Sequence, residues 1–149
     1  MKKLLYIIFV SASIIASTSA ISLAQTKPLV VISNAKGAPS ELKRTELVAV
    51  LRGEKQRWDD GTRISIALMK ASTPTGEATF KKVYGMSGDE VNKYWLALVF
   101  QGKAKAPVFF NTATELETYI SQTPGSIGII EESNDVKTKP VMIDGKKSL

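Results

Sequence analysis

Residues 63–80, RISIALMKASTPTGEATF, decide the fold of this chain. Apolar and small residues alternate through the first part, which predicts a β-strand over Arg63–Met69. The second part predicts a helix from Pro74 to about Tyr84, because Thr73 is a favoured N-cap residue and proline suits the first helical position. A strand that leads directly into a helix is the repeating unit of an α/β fold with a largely parallel sheet.

Strands and helices continue to alternate on both sides of this stretch. Further strands are predicted at Lys27–Ile32, Ser126–Ile130 and Lys139–Ile143, and Val108–Phe110 is predicted as a short strand or an extended link. Further helices are predicted at Lys43–Arg52 and behind the two capping boxes that begin at Ser87 and Thr112. The predicted fold class is therefore α/β: a single lobe of the three-layer type, with a mostly parallel central sheet flanked by helices.

The clearest helix signal follows Ser87, which forms a capping box with a glutamate three residues later. Apolar residues then recur with the spacing i, i+3, i+4, i+7 and i+8 that marks one face of a helix. They are Val91, Tyr94, Trp95, Leu98 and Val99. The sequence predicts an amphipathic helix here, with Tyr94 and Trp95 in the core.

The composition excludes several classes of function. The chain has 149 residues, no cysteine, no histidine and a net charge of +6. Zinc and copper sites lose their usual ligands, and neither a Ser-His-Asp nor a Cys-His catalytic pair can be built. The acidic pairs Asp59-Asp60 and Glu131-Glu132 are poorly arranged for paired-carboxylate catalysis. The lysines form no stripe interleaved with aromatic residues. We therefore expect no enzyme activity, no metal, no cofactor and no nucleic-acid partner.

The first 24 residues resemble a secretory signal peptide, with a basic start, an apolar run over Leu4–Ile15 and the small-x-small sequence Ser22-Leu23-Ala24. Cleavage after Ala20 and retention of the segment as a membrane anchor are the alternatives. Residues 25–149 would then form one domain, without a cysteine for lipid attachment. We expect a periplasmic or secreted protein that does not insert into the membrane after cleavage.

The loop that opens the helix at Pro74 is the candidate ligand site. Unpaired N–H groups and the helix dipole favour anions at a helix N-terminus. Candidate ligand-binding residues for phosphate or another oxyanion are Lys70, Ser72, Thr73, Thr75 and Gly76. The same residues are also the ordinary choices for a helix start without a ligand, and Glu77 would repel a bound anion.

Several stretches together resemble the periplasmic phosphate-binding proteins of ABC transporters. The sequence ELKRTELVAVLRGEKQRWDDGTRISIALM contains a helix and a glycine turn, followed by a spaced tryptophan and Asp-Gly before a strand. These residues are Leu51, Gly53, Trp58, Asp60 and Gly61. VYGMSGDEVNKYWLALVFQGKAKAP and TATELETYISQTPGSIGII follow in the same order, the latter with the recurrent Pro-Gly-Ser-Ile-Gly run at 124–128. The resemblance covers roughly Leu29 to Glu131.

The resemblance implies a type II periplasmic-binding-protein fold, reduced to a single lobe. It also places the loop after Met69 where the family's phosphate-contacting loop lies. Lys70 stands nearest the family's arginine, and residues 75–77 stand nearest its Ser-Gly-Thr group, with a carboxylate in place of the last hydroxyl. A single lobe leaves one side of the anion in water, which implies weak binding.

Two functions follow as expectations. The first is a secreted, non-enzymatic solute-binding protein that holds phosphate or another small inorganic anion weakly at a helix N-terminus, with an ABC transporter as an expected partner. The alternative is a ligand-free lobe that acts as a protein–protein interaction module and docks onto an envelope protein.

Overall fold

A computed structural model describes residues 27–149 and shows six strands and four α-helices. The strands are β1 (Leu29–Ser33), β2 (Glu41–Leu42), β3 (Ser65–Met69), β4 (Val108–Phe110), β5 (Ser126–Glu131) and β6 (Pro140–Ile143). The helices are α1 (Arg44–Leu51), α2 (Pro74–Thr79), α3 (Gly88–Phe100) and α4 (Ala113–Gln122). The helix predicted to end near Tyr84 is α2 followed by a π-helical turn over Phe80–Tyr84. The predicted signal peptide lies outside the described residues.

The strands form one sheet in the order β2-β6-β1-β5-β3-β4. Strand β3 runs parallel to both β4 and β5, and β2 runs parallel to β6. Strand β1 is antiparallel to both of its neighbours, β5 and β6. The expected α/β lobe is confirmed, and the sheet is mixed: three of its five strand pairs are parallel, and the two pairs that β1 makes are antiparallel.

Helices cover both faces of the sheet, which gives the predicted three layers. One face packs against α1, α3 and the π-helical turn, and the other packs against α4. Strand β3 serves both faces: Ile66 and Leu68 join the first core, whereas Ala67 and Met69 join the second. The residues that alternate along β3 therefore face two buried cores, and neither face of this strand is exposed to solvent.

Two tyrosine hydroxyls close the carboxyl end of α1. Tyr84 donates a hydrogen bond to the Leu51 carbonyl, and Tyr94 donates one of 2.7 Å to the Arg52 carbonyl. Helix ends leave such carbonyls without intrahelical donors, so the two hydroxyls satisfy groups that would otherwise be buried unpaired. Burial raises the pKa of the Tyr84 phenol far above its ordinary value, so the hydroxyl remains a donor.

Trp58 anchors the segment between α1 and β3. Its indole N–H donates a 2.9 Å hydrogen bond to the Gly125 carbonyl, and its side chain is buried. A β-carbon on Gly125 would lie 2.5 Å from the Arg63 carbonyl oxygen, so only glycine fits this approach. The tryptophan and the Pro-Gly run that carry the sequence resemblance are thus in direct contact.

The predicted apolar face of α3 is buried in its first half only. Val91 and Trp95 are almost inaccessible, and Tyr94 and Leu98 pack partly against the core. Val99, the last residue of the apolar pattern, lies outside the core and is 45% exposed. Successive residues are rotated by about 100° around a helix, and the buried face of α3 is centred on Val91 and Trp95. Val99 therefore lies at the margin of the buried face.

Candidate functional site

The parallel strands β3, β4 and β5 end at one edge of the sheet, where a cleft of about 430 Å³ opens. In α/β sheets this carboxyl edge is the usual position of ligand sites. The start of α2 forms one wall and the start of α4 forms another. Residues 73–75, residues 111–114, Lys27 and the chain that follows β5 line it.

Thr73 is the N-cap residue of α2, as the sequence predicts. Its hydroxyl accepts a 3.0 Å hydrogen bond from the Gly76 N–H and donates one of 2.7 Å to the Lys70 carbonyl. Its own N–H also donates to the Lys70 carbonyl, over 2.9 Å. Both polar groups of Thr73 are therefore committed to the loop, and it supports the site instead of supplying a free donor.

Gly76 supports the helix start rather than the approach of a ligand. A β-carbon at this position would lie 2.0 Å from the Lys70 carbonyl oxygen and 2.7 Å from that of Met69. Its N–H is already bonded to the Thr73 hydroxyl. The missing side chain thus lets α2 pack against the end of β3.

Backbone N–H groups at two helix starts remain available around the cleft. Among residues 27–149, the N–H groups of Thr75, Ala113 and Thr114 donate to no protein acceptor. Each belongs to the first turn of a helix, where no intrahelical acceptor exists. The Thr75 side chain is 9% exposed, and its hydroxyl has no hydrogen-bond partner in the described part of the chain. The cleft thus brings together donors from two helix N-termini.

Lys70 and Ser72 lie in the loop before α2 and are exposed. Neither lines the cleft. The Lys70 N–H donates a 2.9 Å hydrogen bond to the Phe110 carbonyl, which ties the loop to β4 and leaves the side chain in solvent. Of the five predicted site residues, the structure places Thr73 and Thr75 at the cleft, Gly76 beneath it, and Lys70 and Ser72 beside it.

The charge around the cleft is mostly negative. Glu117, Glu131 and Asp135 line it, and Lys27 is the cationic residue among its lining. Glu117 accepts hydrogen bonds of 2.6 Å from the N–H groups of Lys137 and Thr138. Partial burial acts to raise the pKa of Glu117, but these two donors stabilise the carboxylate and hold its pKa below the ordinary range.

Glu77, the carboxylate expected to oppose an anion, turns along the helix. It forms an exposed 2.7 Å ion pair with Lys81, one turn further on. The hydrogen bond from Lys81 and its positive charge hold the pKa of Glu77 below its ordinary value. The ion pair offsets much of the charge that the sequence places at the start of α2.

Sequence reasoning missed the second wall of the cleft. The capping box of α4 was visible, and the structure confirms it: Thr112 accepts from the Glu115 N–H, and Glu115 accepts from the Thr112 N–H. What the sequence does not show is that β3 and β4 are neighbours, which sets the two helix starts side by side. Within residues 27–149 no cluster of acidic side chains has the arrangement of a metal site.

The fold is similar to that of solved phosphate-binding receptors. PstS from Borrelia burgdorferi matches 83% of this chain with a TM-score of 0.61 and 16% identity. An ABC-type phosphate transport receptor from Vibrio cholerae matches 83% with a TM-score of 0.63 and 16% identity. A phosphate binding protein from Stenotrophomonas maltophilia matches 82% with a TM-score of 0.55 and 14% identity. The chain has the fold of part of a phosphate-binding receptor.

The chain spans about half the length of these structures: 49% of the first two and 40% of the third. That share is consistent with one lobe of a receptor. No protein-family model matches the sequence, and no curated protein matches it significantly. Among residues 27–149 no helix is long and apolar enough to cross a membrane.

Proposed function

We propose that this chain is a secreted, non-enzymatic solute-binding protein that holds phosphate or a similar small oxyanion weakly in the cleft between α2 and α4. The N–H groups of Thr75, Ala113 and Thr114 carry this proposal, because they line one cavity and have no acceptor among residues 27–149. In this proposal residues 1–24 direct the chain to the periplasm or the exterior, and residues 25–149 act as one binding domain linked to phosphate transport.

The proposed contacts assign a role to each residue of the loop. Thr75 supplies a backbone N–H and a hydroxyl that have no other partner in the described part of the chain. Thr73 and Gly76 hold the first turn in place. Ser72 and Lys70 stand beside the cleft in solvent, where a hydroxyl and an ammonium group would reach the exposed side of the anion. Charge-assisted hydrogen bonds of this kind are stronger than neutral ones.

Two features make the proposed binding weak. The cleft is open to water, so its hydrogen bonds do not gain from exclusion of solvent. Glu131 and Asp135 line it without an ion-pair partner among the described residues and repel an anion. Phosphate affinity should therefore fall as phosphate gains its second charge, and a singly charged oxyanion should compete well.

Isothermal titration of residues 25–149 with phosphate at low ionic strength tests the proposal. We expect saturable heat that a Thr75→Val substitution removes or weakens about tenfold, because valine keeps the shape and loses the hydroxyl. Thr45→Val is the matched control, since Thr45 is exposed on α1 far along the chain from the cleft. Absence of saturable heat with phosphate and sulfate, or equal heat in Thr75→Val, would overturn the proposal.

The alternative function, a ligand-free lobe that docks onto an envelope protein, is favoured by the same carboxylates. A cleft that presents Glu131 and Asp135 suits a basic protein segment better than a free anion. Recovery of one stoichiometric partner from envelope extract, lost in a Glu131→Gln and Asp135→Asn double variant, would support it. Recovery of no such partner would count against it.

A further inference from the structure

The carboxyl-terminal half of α3 exposes apolar side chains that no described element covers. Phe100 is 84% exposed, Leu96 is 58% exposed and Val99 is 45% exposed. We call these three residues the α3 tip. Leu96 and Phe100 are one turn apart, and Lys93 precedes Leu96 by three residues. Lys93, Leu96 and Phe100 therefore lie on the solvent face of α3, opposite Val91 and Trp95. Single exposed apolar residues are ordinary, but a contiguous set marks a contact surface.

The α3 tip lies far from the cleft. Gly88 begins α3 beside the loop of the cleft, where a β-carbon would approach that of Ala71 to 2.4 Å. The helix has 13 residues, and at about 1.5 Å per residue its last turn is roughly 18 Å from its first. A partner at the α3 tip would therefore leave the cleft open.

Basic side chains predominate in the sequence around the α3 tip. Residues 91–114 contain the exposed lysines Lys93, Lys103 and Lys105 and no acidic residue. None of these lysines takes part in an ion pair between described residues. Lys55 and Arg63 line the same small crevice as Lys105. The acidic neighbours are Glu54, which lies near Tyr94, and Glu90, whose charge interacts with Lys93. Basic side chains outnumber these two carboxylates, so the local charge is positive.

The combination of exposed apolar side chains with lysines favours a lipid surface over a second copy of the chain or another protein. A second copy would bring two positive surfaces together and be repelled. Lysine is depleted from the contact surfaces of proteins, whereas phenylalanine, leucine and lysine together suit the boundary between anionic headgroups and acyl chains. Lysine side chains also extend to keep their charge among headgroups while their stems cover apolar surface.

We propose that the α3 tip docks on an anionic phospholipid surface, with Phe100 and Leu96 at the level of the headgroups and Lys93, Lys103 and Lys105 facing the lipid phosphates. This goes beyond the proposed anion binding and does not depend on it. The protein would lie on the membrane surface without spanning it.

Co-sedimentation of residues 25–149 with vesicles tests this proposal. We expect binding to phosphatidylcholine vesicles that contain phosphatidylglycerol, little binding to phosphatidylcholine alone, and release by high salt. Phe100→Ser, and a double variant Lys103→Gln with Lys105→Gln, should each weaken binding about tenfold. The matched controls are Met142→Ser, an exposed apolar residue on β6, and Lys139→Gln with Lys146→Gln; both should bind as the unchanged protein does.

Three outcomes would overturn the proposal. The first is no binding to either kind of vesicle. The second is binding that Phe100→Ser leaves unchanged. The third is concentration-dependent dimerisation in light scattering that Phe100→Ser abolishes, because a second copy would then occupy the α3 tip.

Discussion

Gly76 lies so close to the backbone of Lys70 that a β-carbon on Gly76 would sit 2.0 Å from the Lys70 carbonyl oxygen. The contact locks the first turn of α2 onto the end of β3. The hydroxyl of Thr73 bridges the same two residues, accepting from the Gly76 N–H and donating to the Lys70 carbonyl. The loop is therefore rigid before any ligand arrives, which keeps the Thr75 N–H at the cleft.

Gly76→Ala should lower the free energy of unfolding by about 2 kcal/mol or more. The added methyl group meets backbone that cannot move aside, and this cost outweighs the better helix propensity of alanine. Urea unfolding followed by circular dichroism measures it. Asn92→Ala, at an exposed position of α3, is the control and should change stability by no more than about 0.5 kcal/mol. Equal stability of the two variants would contradict the packing described for Gly76.

Gly88 and Ala71 should show strong coupling in a double-mutant cycle. A β-carbon on Gly88 would lie 2.4 Å from that of Ala71, so Gly88→Ala alone forces the loop to move. Ala71→Gly removes the obstacle, and the helix then gains from alanine in its first turn. We expect the double variant to be more stable than Gly88→Ala by about 1 kcal/mol. Additive effects of the two substitutions would show that the loop and α3 are not in contact.

Tyr84→Phe should destabilise the protein by about 1–3 kcal/mol, because the buried Leu51 carbonyl loses its donor. Thermal or urea unfolding measures the loss. Tyr119→Phe is the matched control: the Tyr119 ring packs partly against the second core, and its hydroxyl has no hydrogen bond within residues 27–149. A loss in Tyr84→Phe no larger than that in Tyr119→Phe would mean that the hydroxyl does not close α1.

Glu117 should titrate at a lower pH than an ordinary glutamate. Its folded-state pKa is depressed, so its contribution to stability is complete above the unfolded value of 4.5 and is lost as the pH falls through the folded value. The amide resonances of Lys137 and Thr138 should move in that acidic range, because their N–H groups donate to this carboxylate.

Glu117→Gln should abolish that movement of the two amide resonances, while the amides of α1 provide an internal control. A midpoint at or above 4.5 in the unchanged protein would contradict the hydrogen bonds described for Glu117.

The local features of the loop follow from the sequence because short-range chemistry determines them. Thr73 caps α2 and Pro74 begins it, as their types predict. The capping boxes at Ser87 and Thr112 form as predicted. Each of these contacts spans three residues, so no distant part of the chain can change it.

The features that the sequence did not reveal depend on distant parts of the chain. The direction of β1 is set by its pairing with β5 and β6, roughly a hundred residues away. The cleft depends on the pairing of β3 with β4, which brings Thr75 near Ala113. The role of Gly76 depends on how closely α2 packs against the end of β3. The sequence alone does not distinguish a glycine that leaves space for a ligand from one that leaves space for a backbone carbonyl.

The most direct test of the proposed site is an NMR titration of residues 25–149 with phosphate. We expect the amide resonances of Thr75, Ala113 and Thr114 to shift together along one saturable curve, while the Gly76 amide, already bonded to Thr73, moves less. Shifts confined to the exposed lysines, or no shift of the three amides at millimolar phosphate, would contradict it and leave the cleft without its proposed anion.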